Sequence, residues 1–170
     1  MYATINSDLT QNHKILLVEN RPLHLVLYKH WLRKLNYTVH TATDGFDALA
    51  QIQHDRDFEL ILVDFEIGPL MSGIELTKYI RILENQIGKR IVIIGYSSSM
   101  SIENCIEAGL DDLLIKPMNK LILKAILGYW RRYIWGFNAF PHALDESKVT
   151  SSPRSTGQSK AFFHLISSDV

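Results

Sequence analysis

Four short, nearly unbroken apolar runs punctuate the chain: Ile15 to Val18, Leu60 to Val63, Ile91 to Ile94 and Leu113 to Ile115. Each is too short for a buried helix. Rich in Ile, Leu and Val and bounded by polar or turn residues, they read as strands covered on both faces, the form a parallel sheet takes in sequence. A fifth segment, Tyr37 to Thr41, alternates apolar with polar residues, as an edge strand does. Between these runs the period turns helical. Leu23, Leu27, Trp31 and Leu35 are expected to line one face of a segment opened by Pro22, an accepted first-turn residue. Phe46, Leu49 and Ile52 follow an Asp44-Gly45 turn, and Leu76, Ile80 and Leu83 follow Ser72-Gly73. The fourth helix is predicted over Ile102 to Ala108, with Gly109 as its left-handed stop. The fifth starts near the N-cap Asn119 and continues past Trp130. Strand and helix alternate five times. Right-handed crossovers then give an α/β fold, a five-stranded parallel doubly wound sheet with five helices on its two faces. Ligands of such folds sit beyond the carboxyl ends of the strands.

The pattern dissolves after Gly136, and Ser147 to Lys160 is a polar, Ser-rich stretch that cannot fold alone. The expected organisation is an N-terminal extension over 1–11, one domain over 12–135 and a partly disordered C-terminal tail over 136–170. A last apolar cluster, Ala161 to Ile166, is expected to dock back or meet a partner. At 46% hydrophobic residues the domain can build a core. Lys plus Arg and Asp plus Glu both number 18, so the overall charge gives no reason to expect nucleic acid or an anionic membrane as partner. Cys105 is the only cysteine, which excludes a disulfide framework and a cysteine zinc site. It is expected to pack inside the fourth helix. With no apolar run near the roughly 20 residues of a membrane span, a cytoplasmic protein is expected. None of the seven histidines has zinc-ligand spacing, and all are read as surface or boundary residues.

The strand ends carry the chemistry. The first run ends in Glu19-Asn20, the third strand in Asp64, the fourth runs through Gly95-Tyr96 into Ser97, and the fifth into Lys116-Pro117. In a parallel sheet these groups converge on one edge. Carboxylates there can hold magnesium, which prefers oxygen ligands, while a lysine and a hydroxyl can bind the oxygens of a transferred phosphoryl group.

At these residues the sequence resembles the receiver domain of two-component response regulators, most closely the version fused to hybrid histidine kinases. The matching stretches are ILLVENRPLH at 15–24, LRKLNYTVHTATDGFDAL at 32–49, FELILVDFEIGPLMSGIELTKYIR at 58–81, IVIIGYSSS at 91–99 and AGLDDLLIKPM at 108–118. The resemblance implies a flavodoxin-like sheet with strand order 2-1-3-4-5. It makes Asp64 the phosphoacceptor, a carboxylate nucleophile toward a phosphohistidine or a small phosphodonor. It places Glu19 and Asn20 at the family's acidic pair, and makes the backbone carbonyl of Glu66, with Asp64, a further ligand of Mg2+. Ser97 takes the position of the switch hydroxyl, Lys116 contacts a phosphoryl oxygen, and the Lys116-Pro117 bond is expected to be cis. The implied function is a stand-alone receiver, not an enzyme, phosphorylated on Asp64 by a histidine kinase or histidine phosphotransfer protein, with output by protein contact.

Three features depart from the family pattern. Asn20 replaces the second acid and should weaken magnesium binding. The segment DFEIGPLMSG is one residue longer than usual after Asp64, with Gly68 expected to accommodate the extra residue. Leu113 stands where the aromatic switch residue is usual. These motivate an alternative reading, a pseudo-receiver that binds a protein without regulated phosphorylation. A phosphatase of the aspartyl-phosphate type needs a second aspartate two residues after the nucleophile, where this chain has Glu66. The fifth helix, LILKAILGYWRRYIW, is apolar on more than one face. Two readings stand for it: cover by the tail, or a homodimer or effector surface built from Trp130, Tyr133 and Trp135, rimmed by Arg131 and Arg132.

Overall fold

The computed structural model describes residues 13–98 and 102–135. The predicted extension over 1–11 and tail over 136–170 lie outside them. In chain order the elements are β1 (Lys14–Val18), α1 (Pro22–Lys34), β2 (Thr38–Ala42), α2 (Gly45–His54), β3 (Leu60–Asp64), α3 (Gly73–Ile87), β4 (Val92–Ser97), α4 (Ile102–Ala108), β5 (Asp112–Ile115) and α5 (Lys120–Trp135). All five strands are parallel and lie in the order β2-β1-β3-β4-β5, as the sequence implies. The alternating strand is the edge strand β2. The central β3 is buried throughout because both of its faces are covered.

Two apolar layers flank the sheet. On one side Leu16, Val18, Ile61, Val63, Ile93 and Leu113 meet α2, α3 and α4 through Ile52, Leu76, Ile80 and Cys105. On the other, Ile15, Leu17, Leu60, Leu62, Ile94 and Leu114 meet α1 and α5 through Tyr28, Leu32, Leu123, Ile126 and Trp130. Each fully buried Leu or Ile contributes about 1.5–3 kcal/mol relative to exposure, so the sheet sets the order of the helices by the faces it must cover.

Helix ends follow local chemistry. Pro22 opens α1, and Asp44 caps α2 by accepting from the Asp47 N–H. Ser72 and Glu75 form a reciprocal capping box on α3. Gly109 follows α4 with φ of 88°, and Asn119 Oδ1 accepts from the N–H groups of Leu121 and Ile122 at the start of α5.

Two helix faces differ from the expected ones. On α1 the buried residues are Tyr28 and Leu32, while Leu23 is 84% exposed and Leu27 is also exposed. Of the four expected residues, Trp31 and Leu35 pack against the core layer; a series spaced by four residues advances about 40° per step past a full turn, which carries Leu23 and Leu27 out of that face. On α2, Phe46 is exposed and the inward face is Gly45, Ala48 and Ile52. The small residues carry that face because α2 lies close to the loop after β3: a Cβ on Gly45 would stand 2.4 Å from Met71 Sδ. One histidine is also misplaced by the sequence reading. His13 is buried, with Nδ1 3.1 Å from Glu59 Oε2.

Candidate functional site: a carboxylate and a lysine at the sheet edge

The carboxyl ends of β1, β3, β4 and β5 bring the chemistry-bearing residues to one edge, because parallel strands in register all end there. Asp64 is the last residue of β3, paired with Tyr96 of β4. Lys116 follows β5, its N–H bonded to the Ser97 carbonyl, and its bond to Pro117 is cis. The structure brings these two side chains together. Lys116 Nζ lies 2.8 Å from Asp64 Oδ1 and 2.7 Å from Oδ2, and the Glu66 N–H donates to Oδ1 at 3.0 Å. The Lys116 ammonium also sits over the Tyr96 ring, 5.3 Å from its centroid. The Asp64 side chain is 0% exposed and that of Lys116 10%. The Asp64 carboxylate is therefore covered, with the Lys116 ammonium and the Glu66 N–H both against it.

Glu19 and Asn20 separate at the end of β1. Glu19 turns inward and is fully buried, its Oε1 accepting from the Arg21 N–H at 2.8 Å and its Oε2 from the Tyr96 hydroxyl at 2.9 Å. His24 Nδ1 lies 3.2 Å from the same Oε2. Burial, with the charges of Glu19 and Asp64 behind it, pushes the Tyr96 phenol far above its ordinary pKa, and the Tyr28 phenol beside it rises for the same reasons. Tyr96 therefore stays a neutral donor that holds the Glu19 carboxylate. Asn20 is exposed and donates from Nδ2 to the Glu66 carbonyl at 3.1 Å.

The side chain of Glu66 makes contacts that the sequence reading did not anticipate. Its Oε2 accepts from Arg21 Nη2 at 2.8 Å and lies 3.7 Å from Lys116 Nζ, and its Oε1 accepts from Ser98 Oγ at 2.8 Å. The Ser98 hydrogen bond first, and the Lys116 charge next, hold its carboxyl below the usual glutamate range. Ser97 itself is buried as the last residue of β4. Arg21 and Ser98 adjoin predicted site residues in sequence. That adjacency was the available signal, but only the closing of three loops on one another shows the partners.

The longer loop after Asp64 is pinned at both ends by buried apolar side chains, Ile67 and Met71. Between them Gly68 has φ of 145°, a conformation that only glycine adopts without strain, so the extra residue is absorbed there. Phe65 packs into the same layer as Ile67 and Met71, where a Cβ on Gly95 would come within 2.2 Å of its ring, and Leu113 lies buried in that cluster too. On α5, Trp130 is buried and donates from Nε1 to Asp112 Oδ2 at 2.9 Å, so it belongs to the core and not to a docking surface. The side chains of Tyr133 and Trp135 lie outside the described set.

The donors at this edge suit a hard divalent cation in kind: the Asp64 carboxylate, the Glu66 carbonyl and the amide oxygen of Asn20, whose Nδ2 donates to that carbonyl. They are poor in charge. Among the described residues no three His, Cys, Asp or Glu side chains gather as a metal cluster. No helix among the described residues is long and apolar enough to cross a membrane.

Comparison with known proteins agrees with this arrangement. Hybrid signal transduction histidine kinase A of Dictyostelium discoideum is 31% identical over 124 residues, covering 71% of this chain but 6% of that protein. The chain thus spans a small part of the length of such relatives. Among solved structures, the receiver domain of a Pseudomonas aeruginosa PAO1 sensor histidine kinase, with a magnesium ion coordinated in its active site cleft, is 34% identical with a TM-score of 0.62, over 70% of this chain and 97% of that one. The receiver domain of the Saccharomyces cerevisiae response regulator Ssk1, crystallised with the histidine phosphotransfer signaling protein Ypd1, is 28% identical with a TM-score of 0.63, over 70% and 88%. Residues 15–127 match the family model described as the response regulator receiver domain. With its five parallel strands in the order 2-1-3-4-5 and its acid and lysine meeting at the sheet edge, the chain belongs to the receiver domain family of two-component systems.

Proposed function

We propose that the chain is a phosphorelay receiver that accepts a phosphoryl group on Asp64 from a histidine kinase or histidine phosphotransfer protein, and signals by protein contact. The observation that carries this reading is the two-oxygen contact between Asp64 and Lys116 at the strand ends. In the transfer, one Asp64 oxygen attacks phosphorus and forms the new P–O bond. The P–N bond of the donor imidazole breaks, its electron pair returning to the ring nitrogen. Lys116 pairs with Asp64 before the reaction and with a phosphoryl oxygen after it. Glu19 and Asn20, with Asp64 and the Glu66 carbonyl, would hold a magnesium ion, which would supply positive charge to the phosphoryl oxygens. Glu19, through Tyr96 and the Arg21 N–H, fixes the turn from which Asn20 projects.

A protein donor also suits the surface beside the site. Leu23, Val26 and Leu27 at the start of α1 and Leu70 in the loop after β3 are exposed apolar residues. They offer a dry contact around the acceptor, which a small donor does not need. Transfer from a phosphorylated histidine phosphotransfer protein to the wild-type chain, and none to Asp64→Asn, is the expected result. Equal labelling of both chains would contradict it.

The complete burial of the Asp64 side chain favours a second reading, a pseudo-receiver that binds a protein without phosphorylation. It predicts that beryllofluoride with millimolar magnesium leaves the Tyr96 fluorescence unchanged, whereas the receiver reading predicts a change.

A further inference from the structure

We propose that the Glu66 side chain is a resident anion of the acceptor site, a latch that occupies the place of the phosphoryl group and must be released before Asp64 can be reached. The proposal rests on the phosphoacceptor reading above and concerns access to the same carboxylate. One Glu66 carboxylate gathers a guanidinium, a hydroxyl and an ammonium from three separate loops. Arg21 comes from the turn between β1 and α1, Ser98 from the end of β4, and Lys116 from the turn after β5. Charged and hydroxyl donors converging in this way make up the set that a tetrahedral oxyanion takes.

The backbone of Glu66 fixes the latch beside the acceptor. Its N–H donates to Asp64 Oδ1, and its carbonyl accepts from Asn20. The side chain can therefore swing without moving the residue. Lys116 is shared by the two carboxylates, its Nζ lying 2.8 and 2.7 Å from the Asp64 oxygens and 3.7 Å from Glu66 Oε2. In this arrangement the Asp64 side chain has no solvent exposure, while Glu66 and Arg21 remain 43% and 51% exposed.

Two consequences follow from that geometry. Every phosphodonor is an anion, so it meets a like charge as long as Glu66 holds its place. An ion pair this exposed is weak, so the latch can open on the time scale of an encounter. Once Glu66 leaves, Arg21, Ser98 and Lys116 are free for the phosphoryl oxygens. The same three loops are then tied by the phosphoryl group in place of Glu66. Arg21 is thereby a positioning residue for the resting state and a ligand of the phosphorylated one.

The test uses the full chain as wild type, Glu66→Gln and Arg21→Ala, with two probes. Inorganic phosphate is titrated while backbone NMR signals of Ser98 and Lys116 are followed, and the initial rate of labelling by acetyl phosphate with magnesium is measured by intact mass. The proposal predicts phosphate-dependent shifts at Ser98 and Lys116 in Glu66→Gln at concentrations that leave the wild type unmoved. It also predicts labelling of Glu66→Gln faster by roughly fivefold or more, the size of one like charge at about 4 Å between bulk water and a protein surface. Arg21→Ala should lose the Glu66 contact and gain phosphate access, but to a weaker site. Equal phosphate shifts and equal labelling rates in wild type and Glu66→Gln would overturn the latch and leave the acceptor reading standing. Phosphate shifts confined to Glu66→Gln with no covalent labelling of any chain would support the latch and overturn the acceptor reading.

Discussion

Asn20 stands at the end of β1 with a neutral amide, where an aspartate would add a negative charge to the proposed cation site. Its amide now donates to the Glu66 carbonyl, so replacing it with aspartate removes that hydrogen bond, at a cost of about 1 kcal/mol, and adds a negative charge. Asn20→Asp should lower the melting temperature slightly without magnesium and bind magnesium at least roughly fivefold tighter. Calorimetric titration measures the affinity, and an unchanged value would remove Asn20 from the donor set. The meeting of Asp64 with Lys116 was legible in the sequence because one ends and the other directly follows a strand of one parallel sheet. The inward turn of Glu19 was not, since it depends on the buried Tyr96 hydroxyl on a strand two positions away. The role of the Glu66 side chain was hidden for the same reason: its partners are far along the chain and meet only when the loops close.

At the scale of single elements, helix existence was readable and helix orientation less so. The segment over α3 shows its inner face directly through Leu76, Ile80 and Leu83, which mix three- and four-residue steps and stay on one side. The face chosen for α1 drifted around the axis, and that for α2 favoured a large residue over small ones that allow close approach. The capping box of α3 carries a pH dependence. Hydrogen bonds from the Ser72 backbone and hydroxyl lower the Glu75 pKa. A carboxyl lowered in the folded state contributes stability that is present above the ordinary glutamate pKa of about 4.3 and lost as pH falls through the folded value. Glu75→Gln should therefore narrow the stability difference between pH 6 and pH 3, as roughly bracketed by those values. Parallel denaturant curves at the two pH values check it, and an identical difference in wild type and variant would show that the box does not titrate.

Over the whole molecule, a net charge of zero conceals two unlike layers. The helices α1 and α5 carry Lys29, Arg33, Lys34, Lys120, Lys124, Arg131 and Arg132 and no acidic residue. The opposite helices carry Asp47, Glu75, Glu84, Glu103 and Glu107 against Lys78 and Arg81. Overall composition could not show this, because the two layers come from segments interleaved along the chain by the crossovers. The basic layer should retain the protein on a cation exchanger at low salt and neutral pH, and Lys120→Glu with Lys124→Glu should abolish retention. Elution of the wild type in the void would show that the segregation is too weak to act at a distance.

If the Asp64 carboxylate, gathered with Lys116 at the sheet edge, takes up a phosphoryl group, the chain must gain its mass. Intact mass measurement after acetyl phosphate and magnesium tests it most directly. The wild type should gain one phosphoryl group, lost again with hydroxylamine as from an acyl phosphate, and Asp64→Asn should gain none. An unmodified wild-type chain, under conditions that label a receiver of known activity, would contradict it.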